Sequence, residues 1–170
     1  SELSGDTSVY VGTSDIMMMP SIVDVSGLNK ISKRIFGNAV SAMAGLLNYR
    51  FETEEDEHPL VAATMFGVTT PAVNFAREYL EKNGYEVLVF HATGIGGRTM
   101  ESLVSDGYFT GVLDLTTTEW ADELVGGILN AGEHRLEAAS LAKIPQVVSL
   151  GAMDMVNFGP FDTVPDQFKN

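Results

Sequence analysis

At 170 residues, with 45% apolar side chains and no cysteine, the chain is long enough to bury a core and excludes disulfides, thiolate chemistry and cysteine-based metal sites. Its formal charge of −13 disfavours nucleic acid and anionic membrane surfaces, and a phosphate site would need local donors or a cation carried in with the ligand. No apolar run reaches the ~18 residues of a membrane span and no basic-then-apolar leader opens the sequence, so a cytoplasmic protein is expected.

In chain order, residues 1–14 are polar and Gly-rich and are expected to be irregular. The run Ile16-Met17-Met18-Met19 halts at Pro20, which cannot donate to a strand ladder, and residues 21–25 point to a second short strand. Residues 27–49 read as a helix, because Leu28, Ile31, Ile35, Phe36, Ala39, Met43 and Leu46 recur at three- and four-residue steps. Residues 51–59 carry Glu52, Glu54, Glu55, Asp56 and Glu57 and read as a solvated acidic linker.

From Leu60 the pattern is regular. Residues 60–66 form a nearly continuous apolar strand, as expected when both faces are buried. Thr70 as cap and Pro71 in the first turn predict a helix that ends at Asn83-Gly84. Residues 85–90 and 109–115 read as strands around a helix over 99–105. Thr118 is the expected cap of a helix starting near Trp120; a further helix covers 135–142 and a strand 146–150, and residues 157–170 show no period and are expected to be irregular. Alternating strands and helices imply right-handed crossovers and parallel pairing. The expected fold is one α/β domain over 1–170: a three-layer open sheet, mainly parallel, Rossmann-like or flavodoxin-like, with helices on both faces.

Four strand ends carry clusters of Gly, Thr, Ser or Asp: residues 66–71, 91–98, 114–119 and 149–160. In an open α/β sheet those ends share the edge where ligands bind. In Thr93-Gly94-Ile95-Gly96-Gly97-Arg98-Thr99, glycines let backbone amides approach an anion, and Arg98 offers a bidentate clamp. The stretch is neither a Walker loop nor a G-x-G-x-x-G fingerprint. Thr69, Thr70, Thr116 and Thr117 add hydroxyls beyond what helix capping requires. His91 is the candidate acid or base. Asp114 and Asp154, at or just past strand ends, are the candidate Mg²⁺ ligands.

Several stretches resemble the tomato mosaic virus resistance protein family, whose bacterial and fungal members are mostly uncharacterised. They are residues 15–34 (DIMMMPSIVD with GLNKISKR), 64–71 (TMFGVTTP), 89–98 (VFHATGIGGR), 111–119 (GVLDLTTTE) and 145–160 (PQVVSLGAMDMVNFGP). The resemblance implies a protein about twice this length with two α/β subdomains, this chain being most of the second. It implies binding of ATP with Mg²⁺ and dimerisation, and in the plant member binding to viral replication proteins. In several relatives the region is fused to a TIM-barrel domain, which implies such a partner here. The leading expectation is therefore a nucleotide-binding domain, with phosphates on Thr93, Gly94, Gly96, Gly97, Arg98 and Thr99, hydroxyl contacts from Thr69, Thr70, Thr116 and Thr117, and Mg²⁺ at Asp114 or Asp154. The alternatives are an enzyme acting on a phosphorylated or carboxylated metabolite through His91, and a dimerisation module built on the helix over 27–49.

Overall fold

The computed structural model describes residues 8–50 and 58–169. The chain divides into two compact units, Ser1–Glu57 and His58–Asn170. Most of the acidic linker lies outside the described residues.

In the first unit a one-turn helix α1 (Ser8–Val11) interrupts the stretch expected to be irregular, and the long helix α2 (Lys30–Asn48) follows the predicted periodicity. Asn29 starts α2 through a capping box. Its side chain accepts from the amides of Ile31 and Ser32 at 2.9 Å, and the Ser32 hydroxyl accepts from the Asn29 amide at 2.8 Å. These bonds satisfy donors that a helix start leaves without intrahelical partners. Only Ser32 and Ile35 of α2 are buried; Ile31, Val40, Met43, Leu46 and Leu47 are exposed. The two short strands expected over 16–25 do not form. Ile22 sits at φ 67, in the left-handed region, and that breaks an extended run.

The second unit alternates strand and helix: β1 (Leu60–Met65), α3 (Thr70–Lys82), β2 (Glu86–His91), α4 (Ile95–Ser105), β3 (Gly111–Thr116), α5 (Thr118–Val125), α6 (Ala138–Ala142) and β4 (Gln146–Gly151). A 3-10 turn (Gly67–Thr69) leads into α3, and two more, Phe161–Thr163 and Asp166–Phe168, lie in the tail expected to be irregular. There Phe158 stacks on Phe168 with ring centroids 5.5 Å apart.

The sheet runs β2-β1-β3-β4 and every pair is parallel. The chain steps from β1 to one side to make β2, then crosses past β1 to make β3. The direction of winding therefore reverses between β1 and β3. Side chains alternate between faces. Val61, Ala63 and Val87 pack with Val73 and Leu80 of α3. Ala62 and Val112, on the other face, pack with Met100 and Val104 of α4 and with Ala138 and Ala139 of α6. Each large apolar side chain buried in these layers contributes about 1.5–3 kcal/mol. The architecture is the three-layer α/β open sheet, parallel throughout.

Candidate ligand site at the carboxyl edge of the sheet

The polar ends of β1 and β3 meet at the reversal point. Thr69 Oγ1 lies 2.6 Å from Thr116 Oγ1. The Phe66 amide donates to Thr69 Oγ1 at 3.0 Å, and the Thr116 hydroxyl donates to the Thr64 carbonyl at 3.0 Å. Thr117 Oγ1 donates to the Ser149 carbonyl at 2.8 Å and ties β3 to β4. Thr116 and Thr117 are buried, whereas Thr69 and Thr70 are partly exposed. The threonines in excess of capping needs thus hold three strand ends together. Neither Thr69 nor Thr117 bonds its helix through its side chain in the way an N-cap does.

The Gly loop is built around an internal carboxylate. Glu119 Oε1 accepts from the Gly94 amide at 2.7 Å and from the Gly97 amide at 3.1 Å. Gly94 takes φ 83, a conformation that glycine adopts without strain. A Cβ on Gly97 would overlap the Glu119 carboxylate, and one on Gly96 would overlap the His91 carbonyl oxygen. Helix α4 therefore starts at Ile95, four residues before the predicted 99. A carboxylate from α5 serves orphan amides that a local cap normally serves. The amides of Gly94 and Gly97 thus already have an anionic partner.

The loop's remaining groups face outward. Arg98 is exposed, with Nη1 donating to the Asn130 carbonyl at 3.0 Å. Thr93 and Thr99 are partly exposed, their hydroxyls donating to the carbonyls of His91 and Ile95 at 3.4 and 2.8 Å. His91 ends β2 as an exposed residue, and no hydrogen-bond partner among the described residues orients its ring.

Asp114 points into the α4–α6 layer. It pairs with Arg135, Nη1 at 2.8 Å and Nη2 on the other carboxylate oxygen, and it also accepts from Thr64 at 2.9 Å and Gln146 at 3.0 Å. Arg135, 2% exposed, further reaches Glu119 through Nε and Glu101 through Nη1, each at 2.8 Å. One guanidinium thus faces three carboxylates. Glu101 also accepts from the amides of Leu136 and Ala138 at 2.8 and 2.9 Å, which places the start of α6 three residues after the predicted 135. Burial pushes the Glu119 carboxyl above its ordinary 4.5, against the opposing pull of Arg135 and the two glycine amides. Burial alone would lower the Arg135 pKa; the Asp114 and Glu119 carboxylates outweigh it and hold the guanidinium protonated.

Of the two expected Mg²⁺ ligands, Asp114 is closed off by these partners, and Asp154 is exposed on the turn after β4. Among the described residues no three His, Cys, Asp or Glu side chains are placed to hold a metal.

Glu119, Arg135, Glu101 and Asp122 were not among the expected site residues. The buried Asp122 accepts from the amides of Leu129 and Asn157 at 2.7 and 2.9 Å and so fastens the tail to the α5 loop. A signal existed for two of them: Glu119 directly follows the Thr116-Thr117-Thr118 cluster, and Arg135 opens the helical run predicted over 135–142.

Residues 2–52 match the N-terminal domain, and residues 58–170 the C-terminal domain, of an uncharacterised protein family, UPF0261. The chain belongs to the UPF0261 family. It is 62% identical over 166 residues to the UPF0261 protein of Clostridium tetani, covering 98% of this chain and 41% of that protein. It is 52% identical over 172 residues to the ToMV resistance protein Tm-1(GCR237) of Solanum lycopersicum, covering 98% of this chain and 23% of that protein. A UPF0261 protein of Mesorhizobium japonicum is 48% identical over 166 residues, again 98% of this chain and 41% of the relative. The chain therefore spans less than half the length of these relatives. The motifs place the whole chain in the second subdomain; the matches instead assign residues 2–52 to the first and bring parts of both UPF0261 domains into it. No helix among the described residues is long and apolar enough to cross a membrane.

Proposed function

We propose that this UPF0261 chain binds a nucleotide, ATP with Mg²⁺, outside the carboxyl ends of β1 and β3. The single observation that carries the reading is the strand order β2-β1-β3-β4 with Thr69 Oγ1 2.6 Å from Thr116 Oγ1 at the reversal point. Open α/β sheets bind ligands in the crevice at that point, where neighbouring loops diverge. The nucleotide itself comes from the family resemblance. Because Glu119 holds the amides of Gly94 and Gly97, phosphate contacts fall to the outer residues: Arg98, which uses one of its five N–H donors internally, with Thr93, Thr99, Thr69 and Thr70. In this reading Asp154 meets a nucleotide-borne Mg²⁺, and that cation offsets the acidic field of the protein.

Calorimetric titration of the full-length family protein carrying this sequence, with ATP–Mg²⁺, AMP and inorganic phosphate, tests the proposal. Saturable heat with ATP–Mg²⁺ that weakens about tenfold in Arg98→Ala is expected, one charge-assisted phosphate contact being worth ~1.5 kcal/mol. No heat with any of the three refutes it.

A second reading, self-association through the first unit, is favoured by the exposed apolar side chains Ile31, Val40, Met43, Leu46 and Leu47 on α2. Contiguous exposed apolar surface marks protein interaction sites. Sedimentation over a wide concentration range should show a dimer that Leu47→Glu weakens; a monomer at every concentration rules the reading out.

A further inference from the structure

Strand β4 has the composition of an interior strand and the position of an edge. Its sequence, Gln146-Val147-Val148-Ser149-Leu150-Gly151, carries no charge and no proline. Among the described residues it pairs only with β3, and its register shift, between Asp114 and Thr116, lies on that paired side. Natural edge strands are blunted by charges, proline or a cover, because an unpaired apolar edge invites another strand. Parallel strands covered on both faces read instead as near-continuous apolar runs.

The exposure pattern makes the same point from both faces. Val147 is 57% exposed, Val148 49% and Leu150 79%. A cavity of about 390 Å³ opens beside Val147, lined by Val61, Leu80, Leu113 and Pro145. A second, of about 270 Å³, opens beside Val148 and Leu150 and is lined by Trp120, Leu124 and Leu136. The opposite edge behaves differently. β2 opens with the charged Glu86, Val87 is buried under α3, Phe90 packs edge-to-face on Phe109 with centroids 5.9 Å apart, and Leu88, at 39%, is its one exposed large apolar side chain.

We propose that β4 is an interior strand of the complete family protein. Its free edge pairs with a further, uncharged β-strand, and the connecting helix covers Val148 and Leu150 beside α5 and α6. The occupant is a strand-and-helix segment of the longer family polypeptide outside residues 1–170. Three observations select it over a second copy of this chain. The relatives are more than twice this length, so unassigned chain is available. The edge of β4 and its Val148–Leu150 face are open together, which one strand with its connecting helix closes and an edge-to-edge dimer does not. A right-handed crossover from β4 to a fifth parallel strand beyond it runs in the direction of the β2-to-β3 and β3-to-β4 connections, so its helix falls on the face that carries α4 and α6, where Val148 and Leu150 are open.

Hydrogen–deuterium exchange on the full-length family protein tests this directly. All amides of β4 should exchange as slowly as those of β1 and β3, with protection of those not bonded to β3 about a hundredfold above an open edge. That protection should not change on dilution to a monomeric species. Fast exchange at alternate β4 amides overturns the proposal, and so does protection that disappears on dilution, which assigns the edge to a second copy. A Leu150→Glu variant should lose β4 protection while β1 keeps its own; unchanged β4 protection in a folded variant also overturns it.

Discussion

The carboxyl edge of the sheet carries two layers of polar side chains that differ in what they touch. The inner layer, formed by Asp114, Thr116, Thr117, Glu119 and Arg135, is buried. No buried side-chain nitrogen or oxygen among the described residues lacks a hydrogen-bond partner. The outer layer, formed by Thr69, Thr70, Thr93, Arg98, Thr99 and Asp154, is partly or fully exposed. The two layers share residue types and strand ends, yet the inner one has spent its hydrogen-bonding capacity on the fold. A carboxylate that fills a glycine nest from within shows that such a nest is a statement about anions, not about ligands. The ligand question therefore belongs to the outer layer.

Substitutions should separate the inner layer from the exposed residues, with Thr69 bridging the two. The largest effect is expected from Arg135→Met, which strands Asp114 and Glu119 as buried carboxylates without their cation. Breaking a buried pair in this way costs about 3–5 kcal/mol, and denaturant unfolding of the full-length protein would read it; a loss below about 1 kcal/mol would show that the network does not organise the inner layer. Gly97→Ala follows, because its Cβ would overlap Glu119. Overpacking of this kind costs about 1–3 kcal/mol, and Glu119→Gly in the same chain should recover part of the loss if that contact is the cause. Thr69→Val removes a hydroxyl shared between β1 and β3 and should cost ~1 kcal/mol.

Glu119→Gln should give the smallest change at any one pH but a distinct slope. Because burial raises the folded pKa of Glu119 above 4.5, the folded state holds that proton where the unfolded chain has released it. Its contribution to stability is therefore fully present below 4.5 and is lost as pH rises through the folded value. The Tm of the wild type relative to Glu119→Gln should fall over that interval. A difference that stays flat, or rises, contradicts the assignment of Glu119 as a buried, desolvated acid.

The layered architecture was legible in the sequence because the apolar strands at 60–65, 86–91, 111–116 and 146–151 and the turns between them are local signals. The ends of α4 and α6 were not, because Glu119 and Glu101 supply their amide partners from 22 and 35 residues away in the chain. No local propensity encodes such a cap. The same cause moved Asp114 from expected metal ligand to buried partner of Arg135: the pairing spans 21 residues and exists only once β3 and the segment before α6 are packed. Thr69 and Thr116 were legible as strand-end hydroxyls, but their direct contact depends on strand order, which periodicity does not report. In the first unit, Ile16-Met17-Met18-Met19 reads as a short apolar strand and is exposed among the described residues. An apolar run alone does not say which surface will cover it.

The measurement that bears most directly on the central claim is a paired one on Arg98→Ala in the full-length protein: ATP–Mg²⁺ affinity and thermal stability from the same preparation. Arg98 is exposed and its contact with the Asn130 carbonyl is a surface contact, so stability should stay within about 0.5 kcal/mol of wild type. Affinity for ATP–Mg²⁺ should drop about tenfold, the equivalent of ~1.4 kcal/mol. Unchanged affinity with unchanged stability would contradict a nucleotide site on the outer layer of this edge.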